Sequence, residues 1–454
     1  MGRLILSTLL CLYAGVLAEG TVYEREVAPG VLYRMEVRQD PPLVIHALRV
    51  DADAPVVAES HVADRYVLDR RTEHSVDVQA EQAGAFAGIN GDFYAWAGGK
   101  AGDMIGIQVR NGELVSAPTR ESSRSSAIGW GPRDREISLT GWSASFQVER
   151  RNELPVDGLN EAHQPGETIL FTSSSGWAVA DEPATFAVLA TGANILEPDS
   201  EMEGELVAVY TNETRRMVRP GTVVLVADGD RADVLARNVG QEVLVRVSAF
   251  GFDWDDIANV MAGWPILLDE GNSIQDDPEA PRHPRTAVGF TEDGDTWYVV
   301  VDGRQPMSVG VTFGELAGIM SELGCVDALN LDGGGSSTFY LLGQVLNRPS
   351  DGQPRTVANS ILLFSSANEL LPSRAEAEPL YRIDPQGALM PGEETKLRLL
   401  AADGAVIRAE DVIWSATGAA WIEQDGTLHV LEPGEVEVTA RFGAYLVERS
   451  LQVE

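Results

Sequence analysis

The residues best suited to chemistry form one short stretch, 330–338, which reads Asn-Leu-Asp-Gly-Gly-Gly-Ser-Ser-Thr. Three consecutive glycines lose much backbone entropy on folding, so they are expected where the backbone adopts positive φ or approaches a ligand closely. The N–H groups of such a turn can form a concavity that binds an anion. Asp332 adds a carboxylate before the glycines, and Ser336 and Ser337 add hydroxyl groups after them. The stretch therefore predicts an anion site beside a carboxylate, and the alternative is a flexible hairpin turn.

Further polar candidates stand where predicted strands begin or end. Arg285 precedes the apolar run 286–290, and Asp302 and Arg304 follow the apolar run 297–301. Aspartate is also common in plain turns, and Arg285 taken alone could be a surface charge. Arginine can grip a phosphate or a carboxylate with two parallel hydrogen bonds. Collected beside the glycine run, these residues favour a functional site over unrelated turns.

A third group, Asn90 and Asp92, ends the predicted strand 85–89 and is followed by the aromatic residues Phe93 and Tyr94. Polar side chains at the end of a buried strand fit the wall of a site, and they fit a capped turn equally well. Taken alone, the segment leaves these two interpretations open.

The elements that must hold these residues are mostly strands. Apolar runs bounded by turn residues predict strands along most of residues 21–364, and Asn111-Gly112 predicts a tight hairpin. Thr312 and Glu315 form a capping box, which predicts a helix that ends before the strand leading into the glycine run. The predicted fold class is α+β, a mixed and strand-rich domain.

The chain carries a strong negative charge, formally −35 at pH 7. An acidic surface repels nucleic acid and anionic membranes, so neither is expected as a partner. Lysine occurs only at Lys100 and Lys396, so fixed cationic contacts must come mainly from arginine. The hydrophobic content of 44% is that of a globular protein with a real core.

Residues 1–18 have the pattern of a signal peptide. Arg3 gives the positive start, residues 4–17 are almost wholly apolar, and cleavage is expected after Ala18. The apolar run is too short for a comfortable membrane span, so no integral membrane segment is predicted. The expected location is secreted, periplasmic or at the cell surface. Cleavage would leave Cys325 as the single cysteine, and its apolar neighbours predict a buried thiol rather than a nucleophile.

Composition divides the remaining chain into a main domain at 19–366, a linker at 367–379 and a C-terminal domain at 380–454. The linker is rich in Ser, Ala, Glu and Pro. Short predicted strands around Trp414 resemble a bacterial immunoglobulin-like (group 2) domain, which is a small β-sandwich. The resemblance implies a spacer or an adhesion module.

Several motifs of the main domain occur in the order found in the phosphodiester glycosidase family, which this chain resembles over about residues 22–364. The motifs that carry the resemblance are 90–94, 284–289, 302–304, 330–337, 347–351 and 354–355. The most specific of them is Asn-Leu-Asp-Gly-Gly-Gly-Ser. Asp92 departs from the family pattern, which has glycine there, and Arg304 is not kept in the animal members.

The resemblance implies hydrolysis of the bond between C1 of a sugar and a phosphodiester, which releases the sugar and a phosphomonoester. Because a phosphate ester leaves readily, the site needs cations for the departing phosphate and a carboxylate at C1 more than a general acid. Arg285 suits the first task, and Asp332 or Asp302 suits the second. The phosphate is also expected to accept hydrogen bonds from the amides of Gly333, Gly334 and Gly335. Remaining contacts to the substrate are expected from Asn90, Asp92, Arg304, Asn330, Ser336, Ser337 and Arg355.

The expected partner is a phosphoglycan or another sugar-1-phosphodiester, of the N-acetylglucosamine type or a related one. No cofactor is required by the sequence, and metal dependence stays open because the aspartates could hold a divalent cation. His163 and His283 are too isolated to predict zinc ligation. Two alternatives remain: a glycan-binding surface protein without catalysis, and a phosphodiesterase that attacks phosphorus.

Overall fold

The computed structural model describes residues 20–63, 74–95, 102–117, 125–132, 134–193, 195–275, 280–365, 380–385 and 389–454. The predicted signal peptide and linker lie outside these ranges. The division of the chain into domains therefore stays a prediction.

The described chain is built mostly from strands, numbered here along the sequence. The first strands are β1 (Gly20–Ala28), β2 (Val31–Gln39), β3 (Pro42–Val50), β4 (Val56–Val62), β5 (Ala87–Asn90), β6 (Gln108–Arg110), β7 (Glu113–Ser116), β8 (Ser126–Trp130), β9 (Arg135–Leu139), β10 (Gly141–Val148), β11 (Arg151–Val156), β12 (Gly158–Leu159), β13 (Thr168–Phe171), β14 (Trp177–Ala190), β15 (Glu201–Met217), β16 (Thr222–Ala227) and β17 (Glu242–Phe250). They are followed by β18 (Asn259–Gly263), β19 (Ile266–Asp269), β20 (Asn272–Ser273), β21 (Arg285–Thr291), β22 (Thr296–Val301), β23 (Cys325–Asn330), β24 (Phe339–Leu341), β25 (Gln344–Val345), β26 (Asn359–Ser365), β27 (Tyr381–Pro385), β28 (Glu394–Ala401), β29 (Ile413–Gly418), β30 (Ala420–Ile422), β31 (Thr427–Val430), β32 (Gly434–Phe442) and β33 (Tyr445–Val453). The helices are α1 (Val76–Ala83), α2 (Gly229–Arg237) and α3 (Phe313–Glu322).

Two antiparallel sheets form the centre of the main domain. The larger sheet has the strand order β1-β2-β3-β22-β21-β23-β19-β20, and the smaller has the order β25-β24-β5-β26-β4. Their inner faces share one core, in which Tyr33, Leu48 and Leu329 of the first sheet meet Ile89 and Phe339 of the second. Burial of this apolar surface is the main force that holds the two sheets face to face.

A helix covers the outer face of each central sheet. In α3, Leu316, Ile319 and Met320 are buried against the larger sheet, and in α1 Val76 and Ala80 are buried against the smaller one. The capping box predicted for α3 is confirmed, since the Thr312 side chain accepts from the Glu315 amide and the Glu315 side chain accepts from the Thr312 amide. This cap starts the helix at the predicted position.

Residues 141–250 form an eight-stranded sheet of their own, in the order β11-β10-β17-β15-β14-β16-β13-β12. Its core is continuous with that of a five-stranded sheet, β7-β6-β18-β8-β9, through residues such as Val109, Val260 and Val245. The predicted Asn-Gly hairpin joins β6 to β7, and both turn residues have positive φ (50° and 83°). The fold is therefore strand-rich, as the sequence predicts.

The strands of the C-terminal segment pair with one another within the described residues. They form a four-stranded sheet, β27-β28-β31-β30, and a three-stranded sheet, β29-β32-β33. Trp414, which is 1% exposed, is the largest side chain of the core between them. The predicted pair of small sheets is present, while the immunoglobulin-like assignment stays a prediction.

Candidate functional site

The topology brings the predicted site residues to one edge of the two central sheets. β21 runs antiparallel to both β22 and β23, with Arg285 opposite Val301 and Ala287 opposite Asn330. The start of β21 therefore lies beside the ends of its two neighbours, where Asp302 and residues 331–338 follow. β5 of the second sheet ends at the same edge.

The side chain of Asn90, at the end of β5, joins the two central sheets at this edge through hydrogen bonds. Its Nδ2 donates to the Asp332 carbonyl oxygen at 2.7 Å, while its Oδ1 accepts from Thr286 Oγ1 at 2.8 Å and from the Thr338 amide at 3.2 Å. The side chain is fully buried, so these three bonds satisfy it without water. Asn90 therefore holds the glycine turn against both sheets, and it has no exposed surface for a substrate.

Asp332 lies at the mouth of the turn and is 9% exposed. Its amide donates to the Gly91 carbonyl at 3.0 Å, and its Oδ1 accepts from the Gly333 amide at 2.8 Å. Tyr94 stands close by. Burial raises the pKa of the Tyr94 hydroxyl, the Asp332 charge raises that pKa further, and Arg355 lowers it. A carboxylate, a phenol and a guanidinium are thus near neighbours here.

Each glycine of the turn lies against a different arginine. A Cβ added to Gly333 would lie 3.7 Å from Arg285 Cδ, and one added to Gly334 would lie 3.2 Å from Arg304 Nη2. At Gly335 an added Cβ would collide with the guanidinium of Arg355. The turn is a short 3₁₀ segment, Gly334–Ser336, and Gly334 has a φ of 65°. Glycine is therefore required for close approach as well as for backbone conformation.

Two of the three glycine amides that were predicted to bind an anion are hydrogen-bonded inside the protein. The Gly333 amide donates to Asp332 Oδ1, and the Gly334 amide donates to the Pro284 carbonyl at 2.9 Å. A donor already bonded inside the protein offers little to a ligand. The positive charge of the site therefore comes from side chains that the glycines let approach.

Arg285 and Arg304 form a cationic cluster beside the turn, next to His283. Burial and the neighbouring Arg304 lower the pKa of Arg285 to about 10, and burial together with both arginines lowers the pKa of His283. Arg304 Nη2 lies 3.4 Å from His283 Nδ1, and the Arg285 guanidinium stacks at 3.9 Å over the ring of Phe313. Within the described part of the chain, neither arginine is paired with a carboxylate. Unneutralised cations held together in this way attract an anion.

Arg355 differs from these two arginines because it already has a counter-charge. Its Nε lies 2.8 Å from Asp351 Oδ2, and both side chains lie against Gly335. Its net contribution to the charge of the site is therefore smaller than that of Arg285 or Arg304.

Asp302 faces inward rather than toward the turn. It is 3% exposed, and its oxygens accept from Asn347 Nδ2 at 3.1 Å and from the Arg348 amide at 3.0 Å. Burial raises the pKa of Asp302 to about 7, although these hydrogen bonds act against the increase. Asn347 also donates to the Ser337 carbonyl at 3.1 Å. Asp302 is thus placed to position the chain around the turn.

Stability should fall with pH because of Asp302. Its pKa in the folded protein lies above that of an unfolded aspartate, so between about pH 4 and pH 7 the folded state binds more protons. The free energy of unfolding should decrease over that range relative to Asp302→Asn, by up to about 4 kcal/mol. Urea unfolding of both proteins between pH 4.5 and 8 measures the difference. The exposed Asp293→Asn is the control, and parallel curves for wild type and Asp302→Asn would contradict the assignment.

The other predicted residues are more deeply placed than a substrate contact requires. Asp92 accepts from the Gly106 amide at 2.9 Å and is 5% exposed. Asn330 donates to the Trp264 carbonyl at 2.7 Å. Ser336 and Ser337 are buried in the turn. Asn330 Oδ1 is buried without a hydrogen-bond partner among the described residues. The contacts of these four side chains with a substrate therefore stay a prediction.

Sequence reasoning did not assign roles to Tyr94, His283, Asn347 and Arg348. Tyr94, Asn347 and Arg348 lie within the motifs 90–94 and 347–351, so their place in these motifs could have indicated a role. His283 is isolated from other candidate residues in sequence, and only the fold places it beside Arg285 and Arg304.

Among the described residues, no group of three or more histidine, cysteine, aspartate or glutamate side chains is arranged to hold a metal ion. None of the described helices has the length and apolar composition that a membrane crossing would require. Cys325 is buried, as predicted, and burial raises the pKa of its thiol to about 12.

Comparison with known proteins supports the resemblance over part of the chain. The family model for phosphodiester glycosidase matches residues 187–364. The chain is 38% identical over 82 residues to the SPbeta prophage-derived uncharacterized protein YomE of Bacillus subtilis (strain 168), which covers 18% of this chain and 13% of that protein. It is 43% identical over 67 residues to N-acetylglucosamine-1-phosphodiester alpha-N-acetylglucosaminidase of Bos taurus. That match covers 15% of this chain and 12% of the bovine protein. Because such small shares of these relatives are matched, the activity of the whole bovine enzyme does not follow for this chain.

Two solved structures share the fold more widely. A hypothetical protein from Synechocystis has a TM-score of 0.60 at 19% identity and covers 76% of this chain and 64% of its own. A protein from Burkholderia pseudomallei K96243 has a TM-score of 0.56 at 20% identity, with coverage of 71% and 74%. At these identities the likeness concerns the fold alone. The family match supports a resemblance to phosphodiester glycosidases over residues 187–364. These residues contain most of the site described above.

Proposed function

We propose that this site hydrolyses sugar-1-phosphodiesters at the bond between C1 and oxygen. The observation that carries the proposal is the pair of arginines, Arg285 and Arg304, which have no carboxylate partner in the described chain and lie against the glycine turn that follows Asp332. The negative charge of a phosphodiester would neutralise this pair of arginines. The family match to residues 187–364 points to the same chemistry.

In this mechanism the cationic cluster receives the phosphate. Negative charge grows on the bridging oxygen as the C1–O bond breaks, and fixed cations that stabilise this charge lower the barrier. Arg285 presents its guanidinium from a stack with Phe313, which limits the freedom that must be lost on binding. Arg304 contributes a second positive charge to the phosphate site. Burial, together with the charges of Arg304 and Arg285, lowers the pKa of His283.

Asp332 supplies the carboxylate at the anomeric carbon. The transition state of glycoside hydrolysis carries positive charge on the sugar ring, which a carboxylate can stabilise or attack. We assign its charge to the sugar side of the phosphate, because Asp332 directly precedes the glycines that Arg285 and Arg304 approach. Tyr94 is close enough to interact with this carboxylate. Asp302 acts through the loop that it holds.

The proposed substrates are extracellular. The predicted signal peptide would export the protein, and the acidic chain would meet cell-wall, capsular or other phosphoglycans outside the cytoplasm. N-acetylglucosamine-1-phosphodiesters, with nucleotide sugars as mimics, are the first compounds to assay. Tight binding across a broad panel without release of sugar would favour a glycan-binding protein instead.

Hydrolysis in oxygen-18 water should leave the released phosphomonoester unlabelled. Attack at C1 places the solvent oxygen on the sugar, whereas attack at phosphorus places it on the phosphate. Mass spectrometry of the phosphomonoester is decisive, because the anomeric hydroxyl of a free sugar exchanges with water and its phosphate does not. Reactions without enzyme set the background. Label in the phosphate would establish the phosphodiesterase alternative.

A further inference from the structure

The hairpin formed by β24 and β25 connects the site to the C-terminal segment. It starts after the glycine turn and ends at Asn347 and Arg348, which hold the carboxylate of Asp302. Asn347 Oδ1 also accepts from the Phe339 amide at 2.7 Å. This bond joins the start of β24 to the residue that follows the hairpin, next to the site.

Strands of the C-terminal segment bind this hairpin at both of its ends. Arg348 Nη2 donates to the Gly418 carbonyl at 2.8 Å, at the end of β29. Arg441 of β32 donates through Nη1 to the Leu342 carbonyl at 2.8 Å, at the hairpin's tip. Ile413 belongs to the same buried core as Leu342. The C-terminal sheets thus contact the hairpin through both hydrogen bonds and apolar packing.

Burial makes this contact costly to open. Arg441 is 3% exposed, and burial lowers the pKa of its guanidinium to about 10. Separation of the hairpin from β32 would remove one of the acceptors that satisfy this buried charge, which carries a large penalty. A spacer that merely tethers the main domain needs no such contact.

We propose that the C-terminal segment is a positioning element of the site, which acts by fixing the β24–β25 hairpin through Arg348 and Arg441. Asn347 then holds Asp302 and the glycine turn in register. Arg348 is further fixed on its other side by Gln305, with which it exchanges hydrogen bonds. The catalytic consequence rests on the proposed function, while the mechanical connection does not.

Loosening of the hairpin should change the ionisation of Asp302. Among the described residues, the charged or titratable groups that face this carboxylate are Arg348, which follows the hairpin, and Tyr33 of β2. The Tyr33 hydroxyl is hydrogen-bonded to His46 of β3 at 3.0 Å. Bonds from the hairpin favour the ionised form, and burial opposes it. A displaced hairpin would remove these bonds and admit water to the buried carboxylate, so the pKa of Asp302, and with it the acid limb of kcat/KM, should shift.

The decisive variants are Arg441→Met, which is remote from the site, and Arg348→Ala with its partial rescue Arg348→Lys. A lysine can reach the Gly418 carbonyl but cannot replace the fork that also meets Gln305. We expect kcat/KM to fall about 10- to 100-fold in Arg441→Met and Arg348→Ala, with the acid limb displaced, and less in Arg348→Lys. The exposed Arg382→Gln is the control. Assays are run well below the unfolding temperature, with folding verified by circular dichroism.

Hydrogen exchange supplies a readout that does not depend on activity. The amides of residues 337–348 should lose protection in Arg441→Met and keep it in Arg382→Gln. Unchanged protection, or a lowered unfolding temperature with wild-type kcat/KM and pH profile, would overturn the proposed positioning role. Lost protection in a protein whose wild type hydrolyses no sugar-1-phosphodiester would support the mechanical connection and overturn the proposed function.

Discussion

Replacing Asp332 by asparagine should lower kcat/KM by about 10²- to 10⁴-fold while the fold is retained. The substitution keeps the shape of the side chain and removes its charge. Asparagine Oδ1 can still accept from the Gly333 amide, which the native side chain does at 2.8 Å. The loss would therefore report the missing carboxylate at the sugar rather than a collapsed turn.

Steady-state hydrolysis of an N-acetylglucosamine-1-phosphodiester measures this effect, with the unfolding midpoint recorded for each variant. Asp293→Asn removes an exposed carboxylate elsewhere on the main domain and should leave kcat/KM unchanged. Asp302→Asn should reduce activity, because Asp302 holds Asn347 and Arg348. A near-native rate for Asp332→Asn would remove Asp332 from the proposed chemistry.

Arg285→Lys should reduce kcat about 10²- to 10³-fold. The ammonium keeps the charge, but it cannot form two parallel hydrogen bonds to a phosphate and it stacks less well on Phe313. Arg285→Gln should be at least as damaging. Because the arginine binds the phosphate in the product as well, both variants should also weaken inhibition by a phosphomonoester.

Arg282→Lys is the matched control, since Arg282 lies three residues earlier and pairs at the surface with Glu315, Nε to Oε2 at 3.0 Å. Kinetics and inhibitor constants for the three variants can be measured in one buffer series. If Arg285→Lys retains full rate and full inhibition, the phosphate does not bind at the cationic cluster.

Local patterns predicted the framework of the fold well. The α3 helix follows from the Thr312 and Glu315 capping box, and the β6–β7 hairpin follows from Asn111-Gly112. Each feature depends on residues close together in the sequence. The extent of the long strands β14 and β15 was not predicted, because their pairing is set by contacts along a hairpin whose residues are partly exposed.

The sequence predicted which residues would lie together at the turn, whereas their roles remain proposals. Asp332, Arg285 and Arg304 meet at the expected turn because strand ends carry them there. Asp302 looked equivalent to Asp332 in sequence, yet it is turned inward by Asn347, which lies 45 residues away. The orientation of such a side chain depends on contacts between distant parts of the sequence, so a local sequence pattern cannot predict it.

The glycine turn also restricts the order in which this chain can change. A side chain at position 335 becomes compatible with the fold only after Arg355 and Asp351 have withdrawn from that space. Substitutions at these positions are therefore coupled, and the effect of one depends on whether the others have already occurred. Position 334 has no such release, because its φ of 65° disfavours most side chains whatever Arg304 does. Within the turn, position 335 is thus the one at which movement or loss of an arginine would make room for another side chain.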